Sequence, residues 1–190
     1  RSCCHWIIIF GIFIIIIIII MLIQFMSFSQ KKIIIAIVDT GLDLKQTKFV
    51  TSAIEGYNII DHGKPPQDDN GHGTQISSVI HFLEPRVKIL PIKAIPKSGI
   101  TTKQELAKGI IESVDRGAKI INISAGVVSP SLDLENAVEY AEANGVIIIA
   151  AAGESDKNIE YPAAYSTVLA VSGIDNNGNI LKNSNIGPEI

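Results

Sequence analysis

From residue 33 onward, short apolar runs alternate with segments in which apolar side chains recur every three or four positions. Ile33 to Val38 is the first run; Val87 to Ile95, Ala118 to Ser124, Val146 to Ala152 and Thr167 to Ser172 follow, with Ser52 to Ile60 a weaker one. Runs that are apolar almost throughout suit strands covered on both faces. Between them, Thr102 to Arg116 sets Leu106, Ile110 and Val114 on one helical face, and Thr102 with Glu105 has capping-box spacing. Leu134, Ala137, Val138 and Ala141 stripe a second helix, and Gly71 to Leu83 predicts a third that opens on a glycine-rich turn. Gly117 and Gly145 stand where helices should stop. The alternation predicts an α/β domain, doubly wound, with a mostly parallel sheet and helices on both faces.

Ahead of this pattern, Trp6 to Ile23 is apolar but for Gly11, close to the length that spans a bilayer. Residues 1–32 therefore read as a hydrophobic leader, leaving 33–190 as one domain. Ser27-Phe28-Ser29 offers small residues where a signal peptidase cuts, while the length of the run suits a retained anchor, so both readings stand. Either makes a membrane the partner of the N-terminal segment.

Charge and cysteine content narrow the classes. The chain carries a formal −3; once Arg1, Lys31 and Lys32 are set aside with the leader, 13 basic side chains face 19 acidic ones, a balance of −6. Nucleic-acid binding, which requires clustered cations, is not expected. Cys3 and Cys4 both lie in the leader, so the domain has no internal disulfide, thiolate metal site or cysteine nucleophile. No metal site is assigned.

In open α/β sheets ligands gather at the carboxyl ends of the strands. Asp39 follows Ile35-Ala36-Ile37-Val38 directly and precedes Thr40-Gly41, which sets a carboxylate at such an end. Taken alone, Asp-Thr-Gly is as well explained by a turn-capping aspartate, and it also occurs in aspartic proteases, which pair two copies across a cleft. Only one copy is present, in a chain with helical segments. His72 lies 33 residues later in Asn70-Gly71-His72-Gly73-Thr74, at the opening of a helix, with glycines that let backbone and substrate approach the imidazole. The preceding Asp68 and Asp69 read as a solvated turn.

Val38-Asp39-Thr40-Gly41 and Gly71-His72-Gly73-Thr74 together resemble the aspartate and histidine blocks of subtilisin-like serine proteases. Ile121-Asn122-Ile123-Ser124-Ala125-Gly126, Ile149-Ala150-Ala151-Ala152-Gly153 and Tyr161-Pro162-Ala163-Ala164-Tyr165 continue the resemblance in the family's order. It implies acyl transfer to a serine, with His72 as general base and Asp39 orienting the imidazole. Ser124, Ala125 and Gly126 would pair with the substrate backbone and, with Ala151, Ala152 and Gly153, line the pocket for the residue before the scissile bond. Peptide or protein substrates are implied, and a secreted or membrane-anchored domain outside the cytosol. The family allows structural calcium, for which no residues are assigned, and implies no other cofactor.

The chain departs from the family in places. The serine block, a Gly-Thr-Ser helix opening, does not occur before Ile190, so the catalytic domain is expected to be incomplete at its C-terminus. Glu154 stands where the family has the oxyanion-hole asparagine. Gln75 replaces a second histidine, and Ser77-Ser78 stand where smaller residues are usual. The expectation is a serine endopeptidase of the subtilisin-like class; the alternatives are a non-catalytic relative that binds peptides or proteins and a decayed gene product.

Overall fold

The computed structural model describes residues 16–21, 32–46, 53–155, 158–188 and 190. The chain divides into two units, Arg1–Lys32 and Ile33–Ile190. In the first, residues 16–21 are helical and exposed, while most of the expected leader, including most of Trp6 to Ile23, lies outside the described residues. Among the described residues no helix is long and apolar enough to cross a membrane.

The second unit is a doubly wound α/β domain. Its strands are β1 (Ile34–Asp39), β2 (Tyr57–Asn58), β3 (Lys88–Lys93), β4 (Ile120–Ile123), β5 (Ile147–Ala151) and β6 (Leu169–Val171). Its helices are α1 (His72–Leu83), α2 (Lys103–Asp115) and α3 (Leu132–Ala143). The strands pair in parallel in the order β2-β3-β1-β4-β5-β6, which places β1 inside the sheet with a neighbour on each edge. The weak run from Ser52 to Ile60 yields only the short β2 and a bridge from Ala53 to Ile89. Pro91 explains this. It has no N–H to donate, and it lies where residues 54–56 bulge past β3 between the two pairings.

Alternate side chains of the sheet enter two separate cores. Ala36, Val38, Leu90, Ile92, Ile121, Ile123 and Ile148 pack with Leu106 and Ile110 of α2 and Leu134 and Ala137 of α3. The capping box foreseen at Thr102 and Glu105 is formed and opens α2. Gly109 lets α2 approach closely: a Cβ there would lie 2.8 Å from the Val38 Cγ1. On the opposite face Ile35, Ile37 and Ile89 pack under Ile76 and Ile80 of α1. This second cover does not reach the far strands, where Ile147, Leu169 and Val171 are 51, 56 and 52% exposed.

The opening of α1 is built on one carboxylate. Asp68 accepts hydrogen bonds from the N–H groups of Asn70, Gly71 and Thr74 at 3.0, 2.8 and 3.0 Å, and from the hydroxyls of Thr74 and Thr40 at 2.5 and 2.8 Å. It thus satisfies amides that a helix start leaves unpaired and joins them to the turn after β1. Thr40 also accepts from the Gly73 N–H at 2.9 Å. Burial pushes the Asp68 carboxyl up, but the bonds from Thr74, Gly71, Asn70 and Thr40 outweigh it and hold the group down to about 2.

Two stability changes follow. Because the folded-state value lies below the ordinary 3.8, the contribution of Asp68 is complete above that value and is lost as pH falls toward about 2. Urea unfolding across pH 2 to 7 should show Asp68→Asn less stable by about 1–2 kcal/mol near neutrality and with a shallower acid limb than wild type. Ser77 lies fully buried in α1, and among the described residues its hydroxyl has no hydrogen-bond partner. Removing that hydroxyl in Ser77→Ala should raise the unfolding free energy by about 1 kcal/mol in the same measurement, since an unpaired buried donor is costly and alanine favours the helix.

Candidate active site

Asp39 ends β1, and because β1 is an interior strand its carboxylate emerges at the carboxyl edge of the sheet between two neighbours. The residue is fully buried, and its Oδ1 accepts the Thr40 N–H at 2.7 Å. His72 is the first residue of α1, and its Nδ1 lies 2.8 Å from Asp39 Oδ1 and 3.0 Å from Oδ2. Close approach of helix and strand makes the contact: a Cβ on Gly73 would strike the Gly41 carbonyl and lie 3.2 Å from the Asp39 Cβ. Glycine at 73 is therefore a condition of the pairing.

The environments of the two partners differ in a way that suits proton transfer. The Asp39 side chain is 0% exposed and the imidazole 45%. With a carboxylate as acceptor, the proton of a neutral imidazole sits on Nδ1, and Nε2 keeps its lone pair. The ring is oriented from its buried side and open on the other. Among the described residues no hydroxyl or thiol is hydrogen-bonded to Nε2.

A cation missed in the sequence completes the inner side of the site. Lys93 ends β3 in register with Asp39, its side chain only 6% exposed. Its Nζ donates to the Thr40 carbonyl and to Asp69 Oδ1, both at 2.7 Å. The available signal was a lysine between Ile92 and Ala94 inside the run Val87 to Ile95, where a strand buried on both faces should have none. The reading of Asp68 and Asp69 as a solvated turn is corrected for Asp68, which is partly buried and spent on the helix opening; Asp69 stays exposed and pairs with Lys93. Neither set of bonds is visible in a string of loop residues.

The other predicted segments follow β4 and β5. Ser124, Ala125 and Gly126 are partly exposed, and Ser124 accepts a bond from the Asn122 side chain at 2.9 Å. Val127 then pairs antiparallel with Tyr161 through bonds of 2.8 and 2.9 Å. Ala151 and Gly153 are partly exposed, whereas Ala152 is fully buried in the main core, so it can offer a ligand only its backbone. That backbone is engaged too: the Ala152 carbonyl accepts from the Glu160 N–H at 2.9 Å and from Asn185 Nδ2 at 3.0 Å. Glu154 is exposed beside these residues.

Asn185 is the second residue that sequence reasoning overlooked. Fully buried, it donates to the carbonyls of Ala152 and Asn158, accepts from the Ser155 N–H and hydroxyl, and gives its own N–H to the Gly153 carbonyl. It fixes the loop that carries Gly153 and Glu154. No periodicity marks such a residue. Among the described residues no three His, Cys, Asp or Glu side chains converge as a metal site.

Residues 30–190 match the model of the Subtilase family. A thermophilic serine proteinase of Bacillus sp. strain AK1 is 34% identical over 80% of this chain and 41% of its own length. The minor extracellular protease Epr of Bacillus subtilis is 32% identical over 84% of this chain and 26% of its own. Among solved structures, a lanthipeptide protease superposes with a TM-score of 0.75 at 30% identity, covering 83% of this chain and 53% of that one. The chain thus spans about half or less of the length of these relatives. An Asp-Thr-Gly aspartate bound to a helix-opening histidine on a parallel sheet, with the family match across the whole domain, shows that this chain belongs to the subtilase family.

Proposed function

We propose that this domain is the part of a subtilisin-like serine endopeptidase that generates the catalytic base and one wall of the substrate cleft. The observation that carries the reading is the 2.8 Å bond between the buried Asp39 and the half-exposed His72. A structural histidine would not need one face of its ring turned to a fully desolvated carboxylate and the other left open. In the reaction His72 Nε2 takes the proton of a serine hydroxyl as its oxygen attacks a peptide carbonyl, and returns it to the amine that leaves. Asp39 fixes the tautomer and stabilises the imidazolium formed in between. Ser124, Ala125 and Gly126 hold the substrate strand, and Ala151 and Gly153 border the pocket for the residue before the scissile bond.

The serine belongs to chain outside residues 1–190. The uncovered apolar face of β5 and β6 gives a further helix a place to pack on the same side of the sheet as α1. For the leader, residues 1–32, we propose a signal or membrane anchor that sets the domain outside the cytosol, in keeping with the extracellular relative.

A second reading rests on Glu154. An exposed carboxylate at the oxyanion position accepts hydrogen bonds and repels the charge that develops there, which suits a domain that holds peptides without cutting them. Peptide hydrolysis by the full-length natural protein decides between the two. The peptidase reading expects turnover that His72→Ala lowers at least about 10⁴-fold and that Glu154→Asn raises by about 10²-fold through a restored donor. Peptide binding without turnover in either wild type or Glu154→Asn would establish the second reading.

A further inference from the structure

Between the two segments assigned to the pocket lies a charge that nothing described so far employs. The backbone of Glu160 is fixed on both sides. Its N–H donates to the Ala152 carbonyl at 2.9 Å, its carbonyl accepts from the Ala164 N–H at 3.0 Å, and the next residue, Tyr161, is bridged to Val127. Its side chain therefore starts from a rigid position between the loop after β4 and the loop after β5.

From there it runs into the space left by two glycines. A Cβ on Gly126 would lie 2.5 Å from Glu160 Oε2, and one on Gly153 would lie 2.8 Å from its Cδ. Any larger residue at either position would collide with the carboxylate or its stem. The side chain is half-buried, and among the described residues its carboxylate has no hydrogen bond or ion pair. Other acids near the site are already committed: Asp39 to His72 and Thr40, Asp68 to the opening of α1, Asp69 to Lys93. Glu160 is left as an anion partly removed from water without a donor. A ligand that brings a cation into the space would complete it with a charge-assisted hydrogen bond.

We propose that Glu160 sets the specificity of the cleft, selecting lysine or arginine at the residue before the scissile bond. The inference rests on the reading of Ser124 to Gly126 and Ala151 to Gly153 as the walls of that pocket. A long side chain with its cation at the tip reaches past the small residues at the rim, buries its methylene stem along them and meets the carboxylate between Gly126 and Gly153. An aliphatic side chain there would leave the carboxylate unpaired, and an acidic one would be repelled.

Binding can be measured without turnover on the full-length natural protein carrying His72→Ala. Amide shifts of Gly126 and Gly153 would be followed by NMR during titration with acetyl-Ala-Ala-Pro-Arg-amide and with its leucine and glutamate counterparts. The arginine peptide is expected to bind about tenfold more tightly than the leucine peptide, with the glutamate peptide weakest. Glu160→Gln should bring arginine and leucine within about twofold, whereas Glu160→Asp and Glu154→Gln should retain the preference. Equal affinity for the arginine and leucine peptides with Glu160 in place, or a preference that survives Glu160→Gln or disappears in Glu154→Gln, overturns the assignment while leaving the cleft in place. If none of the peptides moves Gly126 or Gly153, the cleft reading fails, and the specificity inference with it.

Discussion

The site depends on one carboxylate that takes no part in the proposed chemistry. Asp68 holds the first amides of α1 with one set of bonds and the turn after β1 with another, and so fixes the distance between the strand that ends in Asp39 and the helix that begins with His72. A strand end and a helix start are each stiff, but the two come from parts of the chain separated by a long excursion through β2 and its loops. With the bond from the Gly73 N–H to Thr40, this anchor helps keep the imidazole within 3 Å of the carboxylate. Gly73 supplies the other half of the constraint by removing the side chain that would hold helix and turn apart.

Around that anchor the charges are arranged by burial. Asp39 and Lys93 end neighbouring strands in register, and both are almost completely removed from water. Lys93 does not touch the Asp39 carboxylate; it holds the carbonyl of the next residue and a carboxylate on the histidine loop. The carboxylate of Asp39 therefore stays committed to His72 and Thr40. Pairing Lys93 elsewhere offsets the cost of burying it and adds a second link between β3, the β1 turn and the loop before α1.

Legibility in the sequence followed the range of the interaction. Strands β1, β3, β4 and β5 were readable because apolar side chains dominate each run, even where one face stays open as at Ile147, and α2 because Leu106, Ile110 and Val114 repeat at helical spacing above a capping box. Strand β2 was poorly readable, since its length is set by the missing N–H of Pro91 on another strand. Asp39 and His72 could be paired only through their motifs; neither residue alone separates a catalytic group from a turn or a core polar residue. Lys93 and Asn185 act through contacts across 24 to 53 positions, and Asp68, whose bonds to the opening of α1 are local, reaches Thr40 across 28; all three leave little trace in local composition. Ala152 shows the reverse failure. A small residue in a pocket motif looks available, yet its methyl belongs to the core.

The interior place of β1 has a kinetic consequence. Both of its neighbours lie far along the chain, β3 beginning at Lys88 and β4 at Ile120, and neither edge of β1 can be paired before those segments exist and find it. Loop closures of this length must be completed before the contacts reward them, which makes parallel sheets of this order slow to assemble. During synthesis the apolar run Ile34 to Val38 emerges before either partner and waits with both edges bare, the condition under which nascent strands associate with one another. Yield of active-site geometry in such a chain is accordingly governed by how well that one strand is shielded while the ribosome is still working.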